Sequence, residues 1–188
     1  MQKKSAAWSG RFHAEQEKRC NDPALSFLID YDATYYARWA RRTAENAAAT
    51  QAEYPWLNEL CRRWEETLLE LLALPRTVIH GEYYPKNILL HEGAVYPVDW
   101  ESAALARGEI DLAALTDHGD PEIVLRCEAA YRSARWPEGP PPEFARAMDV
   151  ARLYIHLRWL GATAGPKLRR RFRRYEEARV LGERLGLI

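Results

Sequence analysis

Apolar and polar positions along this chain change period twice, giving a helical stretch, an extended stretch and a second helical stretch. Residues 1 to about 22 are polar and poorly periodic, with Trp8 and Phe12 as the large apolar anchors, and predict a loop or a short helix. Asp30 or Asp32 is placed to cap a helix running through Tyr35, Tyr36 and Trp39 into the alanine-rich segment that ends at Ala49. Pro55 stands near the first turn of a stronger helix. Its positions Leu57, Leu60, Cys61, Trp64, Leu68, Leu71 and Leu72 keep the i, i+3, i+4, i+7 spacing of one buried face, and Leu74-Pro75 closes it.

The period then shortens. Thr77-Val78-Ile79 is a β-branched run, Asn87 to Leu90 is another, and His91-Glu92-Gly93 turns the chain into Ala94-Val95-Tyr96-Pro97-Val98. The pattern predicts a small hairpin beside one strand, with the loop from His80 to Lys86 between them. From Ile110 the pattern is helical again. Asp120-Pro121-Glu122 combines a side-chain cap with proline at a first helical position, and the proline run at 137–142 must break that helix. Phe144, Met148, Ala151, Tyr154 and Ile155 define a further helix ending near Gly161 and Gly165, and a last helix is expected from about Pro166 to Leu185. The predicted fold class is mainly α with a small β-hairpin region (α+β): an extension at 1–22 and a single domain at 23–188.

At 188 residues the chain is long enough to bury a core as one domain, and 47% hydrophobic with 29% charged residues is a soluble, globular composition. Formal net charge is zero, so no global field steers the protein to nucleic acid or anionic lipid, and neither is expected as a partner. The basic run Lys167 to Arg174 could bind RNA or phosphate, but a solvated helix face whose arginine stems cover the core is the favoured reading. Cys20, Cys61 and Cys127 are widely separated and lack CxxC spacing, which favours reduced thiols in a cytoplasmic protein over a zinc cluster or a disulfide framework. No apolar run suggests a leader or a membrane span.

Chemistry concentrates in His80-Gly81-Glu82-Tyr83-Tyr84-Pro85-Lys86-Asn87-Ile88-Leu89-Leu90, followed by Val98-Asp99-Trp100-Glu101. A carboxylate and an amide stand five positions apart in one loop, and a second carboxylate follows the hairpin. Phosphoryl transfer needs a carboxylate near the attacking hydroxyl and oxygen ligands that hold Mg²⁺ on nucleotide phosphates. Glu82, Asn87 and Asp99 are such groups in that order. His80-Gly81-Glu82 also fits half of a zinc-deaminase signature, but the Pro-Cys-x-x-Cys half is missing from the sequence.

The pattern His-Gly-Glu-x-x-x-x-Asn-Ile-Leu, then Val-Asp-Trp, then Gly108-Glu109-Ile110-Asp111-Leu112-Ala113, resembles the aminoglycoside phosphotransferase family, which shares its fold with choline kinases and protein kinases. The resemblance implies a kinase-like carboxyl-terminal lobe. It assigns Glu82 to orienting the acceptor hydroxyl and taking its proton, and Asn87 and Asp99 to Mg²⁺. Asp111 becomes a buried carboxylate bracing the catalytic loop and His80 a residue that shapes it; Lys86, which the family pattern does not require, lies in the same loop where it could meet the transferred phosphate. ATP or GTP is the implied donor and a small-molecule hydroxyl the implied acceptor. Tyr83, Trp100, Glu101 and Asp117 are the candidates to contact that acceptor, within an acidic wall that Glu109, Asp120 and Glu122 would extend.

Two departures stand out. Glu82 replaces the family's aspartate and extends its carboxylate by one methylene. The stretch before residue 77 also shows neither a glycine-rich phosphate loop nor a lysine-bearing strand, so the resemblance covers the carboxyl-terminal lobe without the amino-terminal β lobe. A separate nucleotide-binding lobe, a homodimer or a partner protein would then complete the cleft, or the chain is a piece of a longer product. The reading from another class is an inactive pseudokinase that binds a small molecule or a protein through the same cleft.

Overall fold

The computed structural model describes residues 1–47, 52–162 and 172–188. The chain forms two compact units, Met1–Tyr31 with Leu74–Phe144, and Asp32–Ala73 with Ala145–Ile188.

The first unit holds helix α1 (Gln2–Glu17), strands β1 (Ile29–Asp30), β2 (Arg76–Ile79), β3 (Ile88–His91), β4 (Ala94–Pro97) and β5 (Ala104–Arg107), and helices α5 (Glu109–Leu115) and α6 (Pro121–Arg135). Residues expected to be a loop or short helix are thus a 16-residue helix. Its buried face is Ser5, Ala6, Ser9, Gly10 and His13. The small residues Ser5, Ala6, Ser9 and Gly10 let α1 lie close against α6 without the large apolar stripe that marks an amphipathic helix in sequence.

The sheets exceed the predicted hairpin. β3 and β4 pair antiparallel as expected, from Ile88↔Pro97 to His91↔Ala94. Their turn uses Glu92 and Gly93 at positive φ, the left-handed pair that a two-residue hairpin demands. A second sheet has the order β1-β5-β2, with β5 parallel to β1 and antiparallel to β2. β5 was not predicted, because Ala104-Leu105-Ala106-Arg107 lacks β-branched residues. Burial of Ala104, Leu105 and Ala106 decides its conformation. Asp120 caps α6 as read, accepting the Glu122 N–H at 2.9 Å.

The second unit contains α2 (Ala33–Ala47), α3 (Leu57–Arg63), α4 (Glu65–Leu72), α7 (Phe144–Gly161, after its first residue) and α8 (Phe172–Leu185). Asp32 rather than Asp30 caps α2, accepting the Tyr35 N–H at 2.7 Å, while Asp30 pairs with Arg76 in the first unit. The single helix expected after Pro55 is two, joined at the fully buried Trp64. α2 and α7 are tied by Thr43, whose hydroxyl donates to the Leu157 carbonyl at 2.7 Å, and by the Tyr36–Tyr154 edge contact at 5.0 Å. The expected ends at Ala49 and Gly165 and most of the basic run, through Arg171, lie outside the described residues.

All three cysteines are free thiols, and burial pushes Cys61 up to about 12. Among the described residues no helix is long and apolar enough to cross a membrane.

Candidate active site

The loop after β2 is held from below by one carboxylate. Asp111, in the first turn of α5 and 1% exposed, accepts the His80 N–H on Oδ2 at 2.7 Å and the Gly81 N–H on Oδ1 at 2.9 Å. Gly81 has φ +81°, and a Cβ there would collide with the Ser102 carbonyl. Glycine is therefore needed twice, for the left-handed turn and for the close approach. His80 shapes the same turn through its ring. The Val98 carbonyl, 2.9 Å from Nε2, can only accept, so Nε2 carries the hydrogen and Nδ1 accepts the Glu82 N–H at 3.3 Å. One imidazole thus joins the loop to the end of the hairpin.

Glu82 is half-buried, and its carbonyl gathers the loop. It accepts the Tyr84 N–H at 2.7 Å and the Asn87 Nδ2 at 3.0 Å. A carbonyl accepts only, so the Asn87 amide nitrogen must face it and Oδ1 is the end directed elsewhere. The Asn87 carbonyl in turn accepts the Val98 N–H at 2.9 Å, one residue before Asp99. Asp99 is exposed and left-handed (φ 68°, ψ 59°), a conformation that aspartate tolerates better than most residues. Loop and hairpin are therefore joined at the buried Asn87, through a bond to the residue just before the exposed Asp99.

The other predicted residues separate. Lys86 and Glu101 are exposed. Trp100 is 36% exposed, tilts over the His80 ring at 4.6 Å, meets Phe12 edge-on at 5.5 Å, and donates from Nε1 to the Pro97 carbonyl at 3.0 Å. Asp117 lies beyond the end of α5, 3.8 Å from the His118 ring.

Two expectations about the acceptor side need correction. Tyr83 is fully buried, stacks on Trp8 and donates its hydroxyl to the Ser5 carbonyl at 3.0 Å, with burial raising its pKa. It pins the loop to α1 and offers no surface to a ligand. Glu109 is likewise fully buried, and its Oε1 receives Arg135 at 2.7 Å, so it is no part of an acidic wall. Asp120 is the α6 cap, and Glu122 pairs with Arg126 on the exposed face of that helix.

Sequence reading missed the groups beneath Asp111. His13, Tyr131, Arg135 and Glu109 form a buried polar cluster contributed by α1, α6 and α5. The available signal was the polar i, i+4 series Ser5, Ser9, His13, which has the period of a helix face without its apolarity.

The donor set of Asn87 and Asp99 fits Mg²⁺. An amide oxygen and a carboxylate are hard ligands, and a pair of protein ligands suits an ion that keeps several waters and binds phosphate oxygens.

Comparison with known proteins agrees with this architecture. The signature of a phosphotransferase enzyme family matches residues 10–143. The choline kinase from Cryptosporidium parvum Iowa II superposes with a TM-score of 0.65 at 14% identity, over 100% of this chain and 67% of that one. A choline/ethanolamine kinase family protein from Mesorhizobium loti gives 0.63 at 16%, over 96% and 64%. The macrolide 2′-phosphotransferase MphH from Brachybacterium faecium gives 0.52 at 22%, over 95% and 61%. The chain therefore spans 61% to 67% of the length of these structures, and the likeness is one of fold. No curated protein matches the chain.

Proposed function

Because the chain belongs to the phosphotransferase enzyme family, we propose that it is a Mg²⁺-dependent phosphotransferase, moving the γ-phosphate of ATP or GTP to a small-molecule hydroxyl. The Asn87 amide carries the reading. Its nitrogen is committed to the Glu82 carbonyl at 3.0 Å, which leaves Oδ1 as the end able to take a cation, while its backbone carbonyl ties this buried residue to Val98, one position before Asp99. Asn87 and Asp99 would hold the ion, which when bound neutralises charge on the phosphates. Glu82 orients the hydroxyl and takes its proton as the acceptor oxygen bonds to the γ-phosphorus and the bond to the nucleoside diphosphate breaks. Lys86, exposed on the same loop, meets the transferred phosphate. Trp100 and Glu101, exposed just after Asp99, face the acceptor, with Asp117 further along the chain. The acceptor is aminoglycoside-like or another small polyol.

In this reading a separate nucleotide-covering lobe, a second protomer or a partner protein closes the cleft. The protein works in the cytoplasm. The longer Glu82 side chain favours one second reading, a noncatalytic cleft that binds a small molecule or a protein. Displacing a reacting group by about 1 Å can cost on the order of 10²-fold in rate.

Calorimetric titration with Mg²⁺–ATP and Mg²⁺–GTP tests the proposal. Binding by the unaltered chain is expected, weakened about tenfold or more by Asp99→Ala and retained by Glu82→Ala. Binding without phosphotransfer to any hydroxyl acceptor would favour the noncatalytic reading. No nucleotide binding at millimolar concentration would remove the stand-alone kinase.

A further inference from the structure

We infer that His13 is a positioning residue for the loop that carries Glu82 and Asn87, transmitting the hold of α1 and α6 to that loop through Asp111. The inference rests on the phosphotransfer reading for its functional meaning. Its geometry stands apart from that reading.

His13 is fully buried, with Nε2 3.2 Å from Asp111 Oδ2 and Nδ1 3.0 Å from the Tyr131 hydroxyl. Asp111 spends both oxygens accepting loop N–H groups, so it acts toward His13 as an acceptor too. Nε2 therefore carries the hydrogen, and Nδ1 accepts from Tyr131. The Tyr131 oxygen accepts in turn from Arg135 Nη1 at 2.5 Å, and the same nitrogen reaches Glu109 Oε1 at 2.7 Å. Arg135 Nη2 donates to the Pro75 carbonyl at 3.1 Å, just ahead of β2. The single Tyr131 hydrogen has a nearer acceptor in His13 Nδ1 at 3.0 Å than in Glu109 Oε1 at 3.5 Å, so the donors point one way, from Arg135 through Tyr131 and His13 to Asp111, where they meet the opposed donors His80 and Gly81. Burial lowers the pKa of His13 and favours the neutral ring that this direction requires.

The surroundings keep the ring in place. Thr77 donates its hydroxyl to the His13 carbonyl at 2.8 Å, which fixes this turn of α1 on β2. Gly108 lies against the cluster, and a Cβ there would meet His13 Nδ1, the Tyr131 hydroxyl and Arg135 Nη1 at once. Among the described residues His13 is the one side chain that hydrogen-bonds to Asp111. Its loss removes the lateral donor that sets the carboxylate plane, and that plane sets the Gly81 turn on which Glu82 depends.

The test is amide hydrogen exchange by NMR on the full chain. With His13→Ala the His80 and Gly81 amides should exchange about tenfold faster, while amides of the β3–β4 pairing keep their protection. His13→Gln should return both to within about threefold of the original, because its side-chain amide can donate to Asp111 and accept from Tyr131. A role that merely fills space would instead speed exchange throughout the unit. That result overturns the inference, as would unchanged protection at His80 and Gly81, or a His13→Gln chain no better than His13→Ala. Should His13→Ala fail to fold, Tyr131→Phe removes the hydroxyl that holds Nδ1. It should give a smaller acceleration at the same two amides, and no acceleration there overturns the inference. A parallel Mn²⁺ titration separates the two readings. No Mn²⁺ binding by the unaltered chain in the presence of ATP defeats the phosphotransfer reading, while the exchange rates still decide whether His13 braces the loop.

Discussion

Asp111 holds Gly81 in its left-handed turn, its Oδ1 accepting the glycine N–H at 2.9 Å while Oδ2 accepts the neighbouring His80 N–H at 2.7 Å. The carboxylate is hydrogen-bonded to neither Asn87 nor Asp99, yet it fixes the start of the loop that ends at Asn87. A side chain 31 positions downstream of His80 thereby decides what the loop can present.

Asp111→Ala leaves two buried loop N–H groups and the His13 ring without their acceptor. Unfilled buried donors cost about 1–3 kcal/mol each, so with three of them a total loss of about 3 kcal/mol or more is expected in urea unfolding. Nucleotide or metal binding should fall in the fraction that stays folded. An unchanged urea midpoint would mean that water replaces the carboxylate at no cost.

Gly81→Ala forces a Cβ into a positive-φ turn and against the Ser102 carbonyl. A destabilisation of about 2 kcal/mol or more is expected. The same substitution at Gly139, which also has positive φ but meets nothing within 4 Å, should cost less. Equal unfolding midpoints for the two variants would show that the Ser102 contact carries no weight.

Stability should fall as the solution is acidified through the range of a free histidine. The His13 pKa is lowered from 6.5, chiefly by burial. Below 6.5 the unfolded chain takes up a proton that the folded chain still refuses, so the unfolded state gains. The contribution is fully present above 6.5 and is lost as pH drops from there toward the lowered folded value. Urea midpoints measured between about pH 5 and 8 should slope more steeply for the natural chain than for His13→Gln. Parallel slopes would remove His13 from the pH response.

Tyr83→Phe should cost about 1 kcal/mol, the price of one buried hydroxyl bond to the Ser5 carbonyl. Acceptor affinity should not change, since the ring is enclosed against Trp8. A selective loss of acceptor binding at constant stability would return Tyr83 to the site.

Glu82→Gln preserves shape and removes the proton acceptor. With the cleft completed and turnover observed, the rate should fall about 10²-fold or more while nucleotide binding is retained. An undiminished rate would leave Glu82 an orienting role only.

The candidate residues could be picked out because they lie in short local patterns. His80, Gly81, Glu82 and Asn87 belong to one loop, and Asp99 is separated from them by a single hairpin whose two-residue Glu92-Gly93 turn is written in the chain. The helices α6 and α7 were legible from Asp120 and from the spacing after Phe144. Where the reading fell short, local pattern competed with distant packing. β5 is a strand because β1 and β2 flank it, although its alanines do not ask for one. Tyr83 and Glu109 looked available because sequence shows residue type and not burial. α1 was legible only as a loop or a short helix because its contact face is small and polar, a surface that stabilises a long helix only where another helix approaches closely.

Taken alone, the sequence determined the family resemblance, the mainly helical class and the order of the oxygen-bearing groups, since each depends on residues within a few turns of one another. Tertiary structure alone decided which of those groups face outward and what steadies them. His13, Asp111, Tyr131 and Arg135 stand in three separated segments, and burial makes their hydrogen bonds obligatory only once α1, α5 and α6 come together.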